Sequence, residues 1–213
     1  MNCQQLLFSG INILKQSGDT ESENDARQLF FFLTGMDLTS YTKNILEPAD
    51  EALQKKFLSF VRRRAAHEPL QYITNTAYFR GLEFYVDRNV LIPRYDTEIT
   101  VETALHFLKP GMQLLDLCTG SGCILLSMLK EGPGEISGTG SDISESAVAV
   151  AEKNADRLGI SATFVQSDLF EKIVGTYDII TANPPYIRSG DRDSLMPAVR
   201  SYEPETALFG GED

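Results

Sequence analysis

Apolar residues recur at helical spacing through the first third of the chain. Leu6, Leu7, Ile11 and Leu14 share one face of a helix that stops before Gly18. Ser22 to Asp25 has the form of a capping box ahead of Ala26, Leu29, Phe30 and Leu33, and Gly35 is placed to close that second helix. Pro48 suits the first turn of a further helix, whose Leu53, Phe57 and Val61 lie on one side until Pro69 ends it. The pattern predicts a small helical domain over residues 1–70.

From Gln71 the period shortens to that of strands. Ala77-Tyr78-Phe79 and Leu82 to Val86 flank Arg80-Gly81, which reads as a hairpin, and residues 71–95 are expected to form a linker built on it. A helix over 97–108, ended by Pro110-Gly111, opens an alternating series. Strands are expected near 113–117, 136–141, 162–166 and 177–181, with helices near 121–130 and 144–158. Such alternation predicts an α/β domain over 96–213, a parallel sheet wrapped by helices.

Composition narrows the class. Hydrophobic residues at 42% and charged residues at 23% are ordinary globular values. The longest apolar run, Leu29 to Leu33, is far below the roughly 20 residues of a membrane span, and the N-terminus lacks the basic start of a signal peptide. A cytoplasmic protein with no membrane partner is expected. Cys3, Cys118 and Cys123 form no C-x-x-C pair, so reduced thiols are expected, and with only His67 and His106 beside them no metal site is expected. Of 19 basic and 30 acidic residues, residues 1–75 hold 8 and 9, so most of the net charge of -11 lies further on. A nucleic-acid backbone would be repelled there. Arg62-Arg63-Arg64 with Lys55 and Lys56 reads as a solvated helix face, with contact to a partner as the other reading.

Two stretches carry chemistry. The strand Gln113-Leu114-Leu115-Asp116-Leu117 runs into Cys118-Thr119-Gly120-Ser121-Gly122 and then an apolar helix, the strand, glycine turn and helix of a nucleotide-binding loop. The next strand ends at Asp142-Ile143, about 20 residues on, where a carboxylate accepts ribose hydroxyls. The dinucleotide fingerprint fails, because its last glycine position is Leu125. The fourth strand delivers Asn183-Pro184-Pro185-Tyr186, a turn stiffened by two fixed φ values at the carboxyl end of the sheet. The Asn183 side-chain oxygen and the Pro184 carbonyl match the two hydrogens of a substrate NH₂, and Tyr186 suits stacking on a planar amide. An amide nitrogen is a poor nucleophile, so catalysis there is chiefly a matter of holding and aiming it.

These motifs resemble the glutamine methyltransferases of peptide chain release factors, and the resemblance covers essentially the whole chain. Beside the Asn183–Tyr186 turn it rests on Glu68-Pro69-Leu70-Gln71-Tyr72-Ile73, Val90-Leu91-Ile92-Pro93-Arg94 with Asp96-Thr97-Glu98, Tyr202-Glu203-Pro204, Ala207-Leu208 and Gly210-Gly211. The tetrapeptide is shared with DNA amino-methyltransferases; the other stretches are far more specific. The resemblance implies a Rossmann-like class I methyltransferase sheet behind a helical substrate-recognition domain and a hairpin linker. The implied reaction takes a methyl group from S-adenosylmethionine to the glutamine amide nitrogen of the release factor's Gly-Gly-Gln loop, leaving S-adenosylhomocysteine. Asp116 would then serve the methionine end of the cofactor, directly or through water, and Asp168 and Leu169 would border its adenine ring. The loop from Cys118 to Gly122, Asp142, Ile143 and Asn183 complete the expected cofactor contacts, and Asn183, Pro184, Pro185 and Tyr186 the substrate contacts.

Three positions depart from the family pattern: Cys118 and Asn75, where glycine is expected, and Tyr95, where proline is expected. A thiol at 118 is expected to crowd the cofactor's methionine end. Only four strands can be counted where the resemblance implies seven, and the last three would need roughly 70 further residues. The sheet is therefore expected to be C-terminally incomplete, its fourth strand at an open edge, with lower stability or self-association as the consequence. Two other functions stand beside the first: amino-methylation of a flipped DNA base, which the acidic balance disfavours, and a protein that holds cofactor without turnover.

Overall fold

The computed structural model describes residues 1–211, so the last two positions of the expected 96–213 domain lie outside it. The chain forms two compact units that divide between Thr74 and Asn75.

The first unit is helical: α1 (Cys3–Gln16), α2 (Ser22–Thr34), α3 (Leu38–Asn44), α4 (Glu51–Ala65) and the short α5 (Leu70–Thr74). Asn2 caps α1, accepting from the Gln5 amide while the Gln5 side chain bonds back, and Leu6, Leu7, Ile11 and Leu14 turn into the core. Gly10 lets Phe57 of α4 approach so closely that a Cβ would stand 2.6 Å from its ring. α2 ends as expected at Gly35, whose φ of 66° is left-handed.

The expected capping box does not form. Glu21 is the N-cap without a side-chain bond, and Ser22 is already inside the helix. Asp25 is drawn instead to Arg64, Oδ2 to Nε 2.5 Å, with Asp19 also within ion-pair range. Pro48 likewise stands outside α4: Asp50 caps that helix through the Leu53 amide, and Pro48 bridges to Asn2. The basic run is a solvated face only in part: Lys55, Lys56 and Arg62 are exposed, whereas Arg63 and Arg64 turn to acidic partners. Arg64 is 20% exposed in its pair with Asp25, and Arg63 holds Glu68, whose side chain is 7% exposed.

The second unit opens with a hairpin, β1 (Ala77–Phe79) and β2 (Leu82–Phe84), whose turn residues Arg80 and Gly81 have φ of 48° and 73°, the positive pair of a type I′ turn. Of the expected linker 71–95, Gln71–Thr74 belong to α5 in the first unit and the rest to the second. Phe79 and Phe84 are buried in the same core as the sheet domain. Next come α6 (Glu98–Leu105), β3 (Gln113–Leu117), α7 (Cys123–Glu131), β4 (Ser137–Asp142), α8 (Glu145–Leu158), β5 (Thr163–Gln166) and β6 (Ile179–Ala182). The sheet is parallel in the order β5-β4-β3-β6, so among the described residues β6 lies at an edge. At its centre Leu114 and Leu115 of β3 are fully buried, Leu114 in one core with Leu125, Leu126 and Met128 of α7. The chain ends in β7 (Ile187–Arg188), α9 (Pro197–Tyr202), α10 (Glu205–Leu208) and β8 (Phe209–Gly211), with β7 and β8 paired in parallel. α6 is shorter than the 97–108 expected: residue 97 belongs to a separate 3₁₀ turn over 95–97, and the helix ends at Leu105.

Candidate functional site

The carboxyl ends of β3, β4, β5 and β6 surround a cavity of about 500 Å³. β3 delivers the glycine loop. Cys118 takes a φ of 55°, Gly120 54° and Gly122 78°, and Gly122 is the N-cap of α7. Asp142, at the end of β4, holds this loop in place: its Oδ2 accepts from the Gly120 amide at 2.9 Å and its Oδ1 from the Ser144 amide at 3.0 Å. Behind the loop, the fully buried Asn154 of α8 accepts from the Tyr85 amide at 2.7 Å and donates to the Tyr85 and Ser121 carbonyls. The loop is thus held from two sides by side-chain hydrogen bonds, which prearranges it for a ligand.

Cys118, Thr119, Gly120, Ser121, Asp142, Ile143, Asp168, Leu169, Asn183, Pro184 and Pro185 line the cavity, which brings together most of the residues singled out in the sequence. Three of those residues stand elsewhere. Asp116 is completely buried and not part of the wall; its two oxygens accept from the Thr119 and Thr181 hydroxyls, both at 2.7 Å. Its place is beneath the loop, tying β3 to β6. Burial pushes its carboxyl up to about 6, against the pull of the two threonine hydroxyls. Gly122 also lies off the wall, since a Cβ there would meet Leu126 and Ala151 at 3.1 and 3.3 Å; it is a packing glycine. Tyr186 is 82% exposed and outside the lining.

Burial pushes the Cys118 thiol up to about 11 and the Cys123 thiol up to about 12, with the neighbouring carboxylates adding to both, so both are neutral near pH 7. Asp168 and Leu169 sit where β5 leaves the sheet, Leu169 at a φ of 44°, and Ser167 beside them accepts from the Lys172 amide.

Sequence reasoning gave no site role to two stretches that the fold brings into the wall. Val90, Pro93 and Arg94 come from the segment before α6, and Ala207, Phe209 and Gly210 from α10 and β8. Both stretches carry the family resemblance, and that was the available signal. Gly210 packs on the Pro-Pro turn, where a Cβ would stand 2.6 Å from the Pro185 carbonyl oxygen.

The volume and the donor set suit a nucleoside-sized ligand with an amino-acid tail. The cavity falls within the roughly 300–1,000 Å³ of small-molecule sites. Each Asp142 oxygen carries one protein hydrogen bond and retains a lone pair for a ligand hydroxyl. Ile143 and Leu169 present apolar surface for a flat ring, both more than half exposed.

Comparison with known proteins gives two matching families. The PrmC N-terminal domain model matches residues 5–74 and the methyltransferase small domain model residues 98–199. Among curated relatives, a release factor glutamine methyltransferase of Agrobacterium fabrum is 39% identical over 94% of this chain and 72% of its own length. One of Geobacter sulfurreducens is 38% identical over 94% of this chain and 70% of its own length. Among solved structures, a ribosomal protein L11 methylase from Lactobacillus delbrueckii subsp. bulgaricus matches 54% of this chain and 58% of its own at 26% identity and a TM-score of 0.38.

Proposed function

The chain belongs to the release factor glutamine methyltransferases, S-adenosylmethionine-dependent enzymes, and from that premise we propose that its Asn183–Tyr186 turn presents the glutamine amide of a release factor's Gly-Gly-Gln loop to cofactor held in the cavity beside it. The single observation that carries this reading is the shared wall: Asn183, Pro184 and Pro185 line the same cavity as the glycine loop and Asp142. Asp142 would take the ribose hydroxyls, Ile143 and Leu169 the adenine faces, and the loop from Cys118 to Ser121 the methionine end. Asp116 would act through Thr119, setting the loop without touching the ligand. When bound, S-adenosylmethionine supplies an electrophilic methyl group on a sulfonium.

The protein's own contribution is geometric. The Asn183 oxygen and the Pro184 carbonyl accept the two amide hydrogens, which turns the nitrogen lone pair toward the cavity and removes the rotational freedom that would otherwise oppose attack. No general base is required before transfer. The exposed Tyr186 ring would cover the flat face of the glutamine from the solvent side. The helical unit, matched to the PrmC N-terminal domain, is assigned to release-factor recognition, and the acidic balance of the sheet domain disfavours duplex DNA as the substrate.

The test uses radiolabelled cofactor with an intact release factor, with the same factor carrying alanine for its glutamine, and with duplex DNA. Label is expected on the first alone; label on DNA, or on the alanine factor, would overturn the assignment. Asn183→Ala should lower kcat/KM by about 10²–10³-fold, the usual cost of removing one group that positions the reacting atoms, with cofactor affinity changed only a few-fold in calorimetry.

A further inference from the structure

Two consecutive residues near the end of the chain are gripped by two arginines from one stretch of backbone. The Arg88 guanidinium lies over the Tyr202 ring, 4.9 Å from its centroid. Arg94 Nη2 donates to Glu203 Oε1 at 2.6 Å. The Glu203 side chain is 1% exposed and that of Arg94 41%, so a carboxylate has been taken out of water and joined to a cation that itself lines the cavity. Burial pushes the Glu203 carboxyl up and Arg94 opposes that rise.

The placement of this pair in the chain gives it a purpose. Three residues beyond Glu203 the backbone enters the cavity wall at Thr206, followed by Ala207, Phe209 and Gly210. Gly210 lies against the Pro185 carbonyl, in the turn that holds the amide acceptors. This strip of wall is therefore anchored at its start by Arg94–Glu203 and at its end by the pairing of β8 with β7. An ion pair with one buried member rarely adds stability over an apolar pair of the same size, yet the hydrogen bond from Arg94 Nη2 to Glu203 Oε1 is directional where apolar contacts are not. Direction is what a wall set against a reactive turn requires.

We propose that the Arg94–Glu203 ion pair fixes the Thr206–Gly210 wall against the Asn183–Pro185 turn, so that both are positioning residues for the entering glutamine side chain. The proposal rests on the function given above.

The test compares the full chain with Glu203→Gln, Arg94→Lys and the apolar double substitution Arg94→Met with Glu203→Met. It reads the thermal midpoint, cofactor Kd by calorimetry, and KM and kcat for a release factor. The double substitution is expected to melt with the parent while KM for the release factor rises about tenfold or more, cofactor Kd staying within about threefold, the split that marks lost substrate positioning. Arg94→Lys should recover part of the loss and Glu203→Gln little of it. Parental KM in the double substitution would overturn the proposal, as would KM and cofactor Kd rising together. A parent that binds cofactor yet leaves release factors unlabelled would instead sink the proposed function, and the positioning role with it.

Discussion

Cys118 and Asn75 occupy the two positions where the family resemblance calls for glycine, and their φ values of 55° and 53° show why. Both are left-handed, a conformation that costs a residue with a Cβ on the order of 1 kcal/mol or more. Asn75 recovers part of that cost by donating to the Val86 carbonyl at 3.0 Å, a local bond that suits asparagine to the region. Cys118 shows no such bond among the described residues, and it lines the cavity. Cys118→Gly should leave the melting temperature within about 3 °C of the parent, because relieved strain is offset by a freer unfolded chain. Cofactor should bind more tightly, and unchanged or weaker binding in calorimetry would show that the thiol does not crowd the site.

Asp116 gives a prediction in pH. Its folded value of about 6 lies above the ordinary 3.8, so the native state holds the proton more tightly than the unfolded chain. The contribution is favourable below about pH 4 and is lost as pH rises through 6, on the order of 3 kcal/mol in all. Asp116→Asn should therefore flatten the stability profile between pH 4 and 6 relative to the parent. Denaturant midpoints that track each other across that range would disprove it.

At the scale of elements, β3 was legible residue for residue, 113–117, because a buried parallel strand reads as an apolar run bounded by turn residues. The helices α7 and α8 fell within two residues of expectation, α7 because its buried run Cys123–Met128 follows directly on the glycine turn and α8 because it buries a regular stripe. α3 was not anticipated: it buries no residue and so prints no period. The pairing of β7 with β8 was equally invisible, since two short strands some 20 residues apart signal through contact alone. The cap expected at Ser22 failed because a distant arginine claimed Asp25, a competition that local pattern cannot register. Gly210→Ala tests the β8 element. The added carbon would push the strand off Pro185, and a displacement of that order should cost about a hundredfold in kcat/KM while the fold persists, checked by circular dichroism beside the assay.

At the scale of the molecule, the division into a helical unit and a sheet unit has a physical basis in two separate cores. Phe30, Phe57 and the inward faces of α1, α2 and α4 form one; Leu114, Leu125, Met128 and the hairpin phenylalanines form the other. Residues 1–74 expressed alone should therefore give a helical spectrum and a single cooperative melt, whereas a gradual, non-cooperative loss of signal would show that the unit depends on the rest. The sequence separated the units but drew their boundary at residue 70, because α5 is too short to display a helical face; its Tyr72 and Ile73 are nonetheless buried. The site was legible as a set of loops and opaque as a cavity: the strip from Thr206 to Gly210 could not be seen closing on Pro185 until the chain was folded.

The paired prolines carry one further consequence. Pro184 and Pro185 supply two carbonyls and not one amide hydrogen, so across this bend the backbone is an acceptor surface only. A carboxylate brought against those two carbonyls would meet oxygen with oxygen, so on the proposed reading a release factor whose glutamine had deamidated to glutamate should be a poorer ligand than the intact one.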